Sequence, residues 1–227
     1  MDYLLHIDTS ADTGTVAISG NGQILHFVSS EDTHNYASII NTMINEALDT
    51  VGITLQRIKA FVVCAGPGSY TGLRIGLATA KAFCYTLDKP LILNNKLTLL
   101  AHQEFAKHGS GFDIYCSILK AREKEYFISL YDSFFKCIME PQHIVESDLR
   151  ELDFINKKVL VIGDISDDFG NLMSVKEVKM IENNKIDLNT WIISAYDDFK
   201  CNKTVNLSLA EPFYLKQVYT HKSKNIN

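Results

Sequence analysis

The chain has 227 residues, 46% hydrophobic and 22% charged, enough apolar material to bury a core and too much for disorder to dominate. Its formal net charge of -5 argues against a free-standing nucleic-acid binder, because phosphate binding draws on clustered Lys and Arg. No run approaches the ~18 apolar residues that span a bilayer, and Asp2 stands where a secretion signal needs positive charge, so a cytoplasmic location is expected.

In chain order, residues 3–7 form an apolar run that predicts a central strand. Residues 15–19 alternate, and 23–28 follow a tight turn at Gly20-Asn21-Gly22, which signals a hairpin. The period then lengthens to about 3.6. Tyr36, Ile39, Ile40, Met43, Ile44, Ala47, Leu48 and Val51 share one stripe of a helix over 34–51, which Thr33 or Asn35 could cap and Gly52 ends. A strand over 58–65 runs into a Gly-rich turn at 66–72, and a helix extends from there to Leu87. Pro90 stops that helix and opens a short strand at 91–93, followed by a helix over 97–106.

The small, polar stretch Lys107-His108-Gly109-Ser110-Gly111 marks a domain boundary. Beyond it the order partly recurs, with strands at 114–119, 126–131 and 135–139, a short helix at 147–154, a buried strand at 159–162 and a helix over 188–199. The tail after Thr220 is polar and expected to fray. Strands and helices in this order predict two related α/β lobes, 1–108 and 109–227, each a mixed sheet covered by helices. The five cysteines contain no CxxC pair, so buried, reduced thiols are expected.

The most distinctive segment runs from Gly66-Pro67-Gly68-Ser69-Tyr70-Thr71-Gly72-Leu73-Arg74-Ile75-Gly76 to Ala82. No Lys sits at the helix start, so it is not a P-loop, and Thr71 occupies the third glycine position of a dinucleotide fingerprint. Glycines before a helix still permit an anion site, and equally a tight turn that serves packing alone. Gly72, Gly76 and Ala80 form a small-residue ridge that would let a neighbour approach closely, either the 36–51 helix of this chain or a helix of a partner.

This segment resembles the signature of the TsaB family, also called YeaZ. Ile7-Asp8-Thr9-Ser10, the run Lys120-Ala121-Arg122-Glu123-Lys124-Glu125-Tyr126, Gly163-Asp164 and Glu211-Pro212-Phe213-Tyr214-Leu215-Lys216 resemble its other marks. The resemblance covers most of the chain and is strongest over 3–94. It implies an actin-like ATPase (ASKHA) superfamily fold of two ribonuclease-H-like lobes. It also implies a non-catalytic subunit of the bacterial machinery that makes threonylcarbamoyladenosine next to the anticodon, in tRNAs reading codons that begin with A. The implied partners are a TsaD-like catalytic subunit, which performs the transfer, and a TsaE-like ATPase. Contact with tRNA is expected only within that complex.

The family pairs with TsaD through the first two helices of the N-terminal lobe. On that resemblance, Ile40, Met43, Ile44, Gly72, Leu73, Gly76, Leu77 and Ala80 are expected at the partner interface, unless those stripes face their own sheet. Catalytic relatives bind a metal through a helix-borne His-x-x-x-His. Here His34 has a counterpart but Ser38 replaces the second His, a poor ligand for a transition metal, so no metal is expected.

Asp8, Thr9 and Ser10, with Gly66, Gly68, Ser69 and Thr71, are candidates for a nucleotide or phosphate site. The superfamily's second phosphate loop corresponds to 120–125, which has no glycine, whereas TsaB relatives usually begin this run with Asp and carry Gly where Lys124 sits. No cofactor is expected to be required by this chain, while an interface with partners could hold ATP or ADP. A hydrolase reading of Ser69 fails on the G-x-S-x-G pattern, which would need Gly at position 71. Two rival readings are an independent ATPase or small-molecule kinase of the same superfamily, and a homodimeric binding module.

Overall fold

The alternating residues of the N-terminal segment form an antiparallel meander of β1 (Tyr3–Asp8), β2 (Gly14–Gly20) and β3 (Gln23–Ser30). The computed structural model describes residues 1–32, 35–149, 151–152, 154, 156–164 and 177–214. Thr33, His34, Leu215-Lys216 and the tail after Thr220 lie outside the described residues. Helix α1 (Tyr36–Val51) follows, ended by Gly52 in the left-handed region at φ 71°, where a residue without Cβ is unstrained. Next come β4 (Ile58–Cys64), α2 (Tyr70–Leu87), β5 (Leu91–Asn94) and α3 (Lys96–His108).

The second half contains β6 (Ile114–Arg122), β7 (Glu125–Asp132), β8 (Cys137–Val145), the single turn α4 (Glu146–Leu149), β9 (Lys158–Gly163), β10 (Glu177–Glu182) and α5 (Leu188–Lys200). The first sheet has the order β3-β2-β1-β4-β5 and the second β10-β9-β6-β7-β8. Read from opposite edges, these are one pattern. Three antiparallel strands are followed by two that join in parallel beside the first of them. The fold is therefore two lobes of one strand order, the ribonuclease-H-like arrangement.

Strand β10 completes the repeat, and the sequence pattern missed it. Its residues Glu-Val-Lys-Met-Ile-Glu lie on a sheet edge and are largely exposed, so no buried face imposes an apolar alternation. The helix expected over 147–154 is only one turn among the described residues. Strand β8 begins at Cys137, two residues after the expected start. Phe135 adopts φ 59° in a turn closed by bonds between Asp132 and Lys136, and its ring stacks on Tyr131 at 4.5 Å.

The lobes exchange helices. Leu97, Leu100 and Ala101 of α3 pack with Tyr115, Leu119 and Leu160 of the second sheet. Trp191 and Ala195 of α5 pack with Leu4, Ala60, Val62 and Ile92 of the first. The second sheet is built from residues up to β10, whereas α5 and the segment after it return to the first lobe. Val205 bridges to Leu91, and Phe213 N–H donates to Ala65 O at 2.9 Å. Asn94 joins the crossing, accepting from Trp191 Nε1 at 3.0 Å and donating to Asp198 at 3.0 Å.

All five cysteines are free, and three of them are buried. Among the described residues no helix is long and apolar enough to cross a membrane.

Candidate functional site

The C-terminal ends of β1, β4 and β5 lie side by side, which is where open α/β sheets present a crevice. Here they form one wall of a cleft of about 410 Å³ between the lobes. Asp8, Ser10, Asp12 and Thr13 of the β1–β2 loop line it, with Pro67 and Gly68 beneath and Lys96 at the start of α3. The opposite wall carries Leu119, Lys120 and Phe127 of the second sheet, and Asp164, Asn184, Lys185 and Ile186.

The β1–β2 loop is held from several sides. Asp8 Oδ1 accepts the Ser10 N–H at 2.8 Å. Ser10 O accepts the Ser69 N–H at 2.8 Å, and Thr9 Oγ1 donates to Gly72 O at 2.7 Å. Tyr36 Oη donates to Ala11 O at 3.2 Å. Burial pushes the Tyr36 hydroxyl up to about 12, and the carboxylates of Asp8, Asp12 and Asp32 add to that shift. Beneath the cleft Cys64 is buried, and its thiol is pushed up to about 12 by burial and then by Asp8, against a lowering effect of Lys96. A thiol held so far from ionisation at neutral pH is inert.

These contacts decide what the glycine-rich turn does. A Cβ at Gly68 would lie 2.1 Å from Ser10 O, one at Gly72 2.0 Å from Thr9 O, and one at Gly76 2.3 Å from Thr9 Oγ1. The glycines are needed because the β1–β2 loop occupies the space before α2. One of its carbonyls, Ser10 O, accepts the N–H of Ser69, the residue that caps α2. Ser69 Oγ accepts from Gly72 N–H at 3.2 Å as the cap of α2, so its hydroxyl serves the helix.

Of the candidate phosphate residues, Asp8, Ser10 and Gly68 therefore line the cleft, whereas Thr9, Gly66, Ser69 and Thr71 lie outside its lining. Gly66 O instead accepts the Lys96 N–H at 2.7 Å.

The structure places the expected partner-interface set largely inside this chain. Ile40, Met43, Ile44, Leu77 and Ala80 are buried in the first lobe's own core with Leu5, Ile7, Val16 and Val63, and Leu73 is buried too. Gly72 and Gly76 face Thr9 and Ile7 rather than another helix. An amphipathic helix on a sheet has one stripe to bury, and the sheet has taken it. The outward faces are different residues. On α1 they include Ala37, Asn41, Thr42 and Asn45, and on α2 Arg74, Ala78, Ala82 and Tyr85.

Sequence reasoning also missed two features. Lys96 is 5% exposed and lines the cleft, but a lysine after Asn94-Asn95 carries no signal before the fold is known. Arg74 lies between Tyr70, 4.2 Å from its ring centre, and Tyr214, whose hydroxyl accepts from Arg74 Nε at 2.9 Å. This clamp fastens the returning C-terminal segment onto α2. Among the described residues, no three His, Cys, Asp or Glu side chains converge as a metal-ligand set.

The model of the family "TsaD: tRNA N6-adenosine threonylcarbamoyltransferase" matches residues 26–187. The tRNA threonylcarbamoyladenosine biosynthesis protein TsaB of Haemophilus influenzae is 30% identical over 126 residues, covering 56% of this chain and 52% of that protein. A tRNA N6-adenosine threonylcarbamoyltransferase of Clostridium perfringens is 32% identical over 121 residues, 46% of this chain and 36% of that one. The matches thus span about half and about a third of these relatives' lengths. Among solved structures, an uncharacterized Pseudomonas aeruginosa protein with similarity to peptidase YEAZ superposes with a TM-score of 0.77 at 19% identity. That superposition covers 95% of this chain and 100% of that one.

Proposed function

This chain belongs to the TsaD family and, within it, to the TsaB/YeaZ group, and from that premise we propose that it is a non-catalytic partner of a TsaD-like subunit. In this role it serves the synthesis of threonylcarbamoyladenosine next to the anticodon, in tRNAs reading codons that begin with A. A TsaE-like ATPase joins the pair, and the TsaD-like subunit performs the transfer.

The observation that carries the non-catalytic reading is the β6–β7 turn. In an actin-like fold this turn would embrace phosphate from the second lobe. Here β6 ends at Arg122 and β7 begins at Glu125, so only Glu123 and Lys124 connect them. Two glutamates in and beside so tight a turn oppose close approach to a polyphosphate. The first lobe, by contrast, connects β1 to β2 through residues 9–13.

The partner surface in this proposal is the outward face of α1 and α2. Small side chains at Ala37, Ala78 and Ala82 allow another helix to approach closely, and Tyr85, 85% exposed, is the kind of aromatic that anchors an interface. Binding there would act by holding the partner's site in its productive arrangement, a shift of population rather than a chemical contribution.

The test is reconstitution with the TsaD-like and TsaE-like proteins of the same cell and unmodified tRNA, with and without this chain. Modified nucleoside should form only in its presence. Equal yield without it refutes the role. Ala78→Arg should abolish association measured by light scattering while leaving the fold intact, since residue 78 is on the exposed face. Unchanged association would remove that surface from the proposal.

A further inference from the structure

We propose that the inter-lobe cleft binds a small organic acid, a carboxylate bearing a hydroxyl or amino group, with Lys96 as its anchor. This inference does not depend on the partner role.

Lys96 is 5% exposed, and its side chain lines the cleft. Among the described residues its ammonium has neither a hydrogen bond nor an ion pair, while its backbone N–H is spent on Gly66 O at 2.7 Å. Asp8 and Asp12 line the same cleft but form no ion pair with that ammonium among the described residues, and buried charges in proteins are as a rule paired. The other buried charged side chains among the described residues are hydrogen-bonded. Glu104 is paired with Lys107, and Asp8 accepts from Ser10 N–H. The unpaired ammonium faces a cleft large enough for several heavy atoms, so the missing partner is assigned to a ligand anion.

The surrounding groups narrow the ligand class. Ser10 and Thr13 offer hydroxyls beside the anchor. Asp12 lines the same wall and has no hydrogen bond or ion pair among the described residues, so it is available to accept from a hydroxyl or ammonium on the same ligand. Leu119 and Phe127 supply an apolar wall for a short carbon skeleton. A nucleoside polyphosphate does not fit this charge pattern. It would bring several negative charges to a cleft whose lysines, Lys96, Lys120 and Lys185, are already matched in number by Asp8, Asp12 and Asp164.

The experiment is a titration of the isotope-labelled full chain by amide NMR at constant ionic strength, with sodium glycolate, glycine, acetate and ATP as probes. Glycolate or glycine should produce saturable shifts clustered at residues 8–13, 67–68 and 96, and should bind more tightly than acetate, which lacks the second group. Lys96→Met should weaken that binding roughly ten- to a hundred-fold, the range of a lost charge-assisted hydrogen bond, and Lys96→Arg should largely restore it. The proposal is overturned if no probe saturates, if the shifts fall elsewhere, if acetate matches glycolate and glycine, if Lys96→Met binds like the parent, or if ATP is the tightest probe. Should Lys96→Met fail to fold, the location of the shifts in the parent chain and their persistence in Lys96→Arg decide the matter.

Discussion

The two lobes share a strand order and differ at the same point in it. In the first, the connection between the first two strands is a loop over residues 9–13 that lies across the start of α2 and walls a cleft. In the second, the equivalent connection is only Glu123 and Lys124. Backbone pairing and core packing preserve a topology with little regard to its turns. The chemistry that a lobe can perform resides in those turns, so one can decay while the other persists. The lobes also differ in what covers them, because each receives a helix from the other half of the chain.

The largest expected effect tests that exchange. Trp191 is buried against the first sheet and donates to Asn94, so Trp191→Ala should cost about 3–5 kcal/mol. Urea denaturation would measure it, and hydrogen exchange should show the first sheet losing more protection than the second. Equal loss in both would mean that the exchange couples them into one unit. Next comes the loop–helix contact that only the first lobe has. Gly72→Ala would drive a Cβ to 2.0 Å from Thr9 O and should destabilise by about 3 kcal/mol. A thermal midpoint close to that of the parent would show that the loop can move aside.

A third effect separates the lobes by pH. His6 is fully buried in the first sheet, with Nε2 on Ser19 Oγ at 2.9 Å and Nδ1 unpartnered among the described residues, and burial lowers its pKa to about 3. The unfolded chain therefore binds the proton more readily than the folded one. The stability is fully present above pH 6.5 and is lost as pH falls towards 3. From pH 7 to pH 5 the loss should be about 2 kcal/mol, and His6→Gln should flatten that slope. An unchanged slope would assign the acid sensitivity elsewhere. The smallest effect lies in the second lobe's turn. Lys124 sits at φ 58°, a region costly for a side chain with Cβ. Lys124→Gly should raise stability by up to about 1 kcal/mol in urea melts. A loss would show that the lysine side chain contributes more than its backbone costs.

Much of the fold was legible before any coordinates. The stripe Ile40, Met43, Ile44, Ala47 and Leu48 is a helix face, and the apolar runs at 58–65 and 159–162 lie in buried strands. Legibility failed where burial was one-sided or absent, as at β10, and where the same stripe could have met either a partner or the chain's own sheet. It failed again at the glycine turn, whose spacing is the same whether it receives an anion or the backbone of residues 9 and 10.

Local periodicity and turn chemistry were enough to place most strands and helices and to show that the second half repeats the first. They are enough because side-chain period and backbone freedom are properties of neighbouring residues. Only the tertiary structure decided that α3 and α5 trade lobes, that the glycine ridge holds Thr9, and that Lys96, unpaired among the described residues, lines the same cleft as Asp12. Those outcomes depend on which groups from distant parts of the chain compete for the same space and the same charge, and no local pattern encodes the result of that competition.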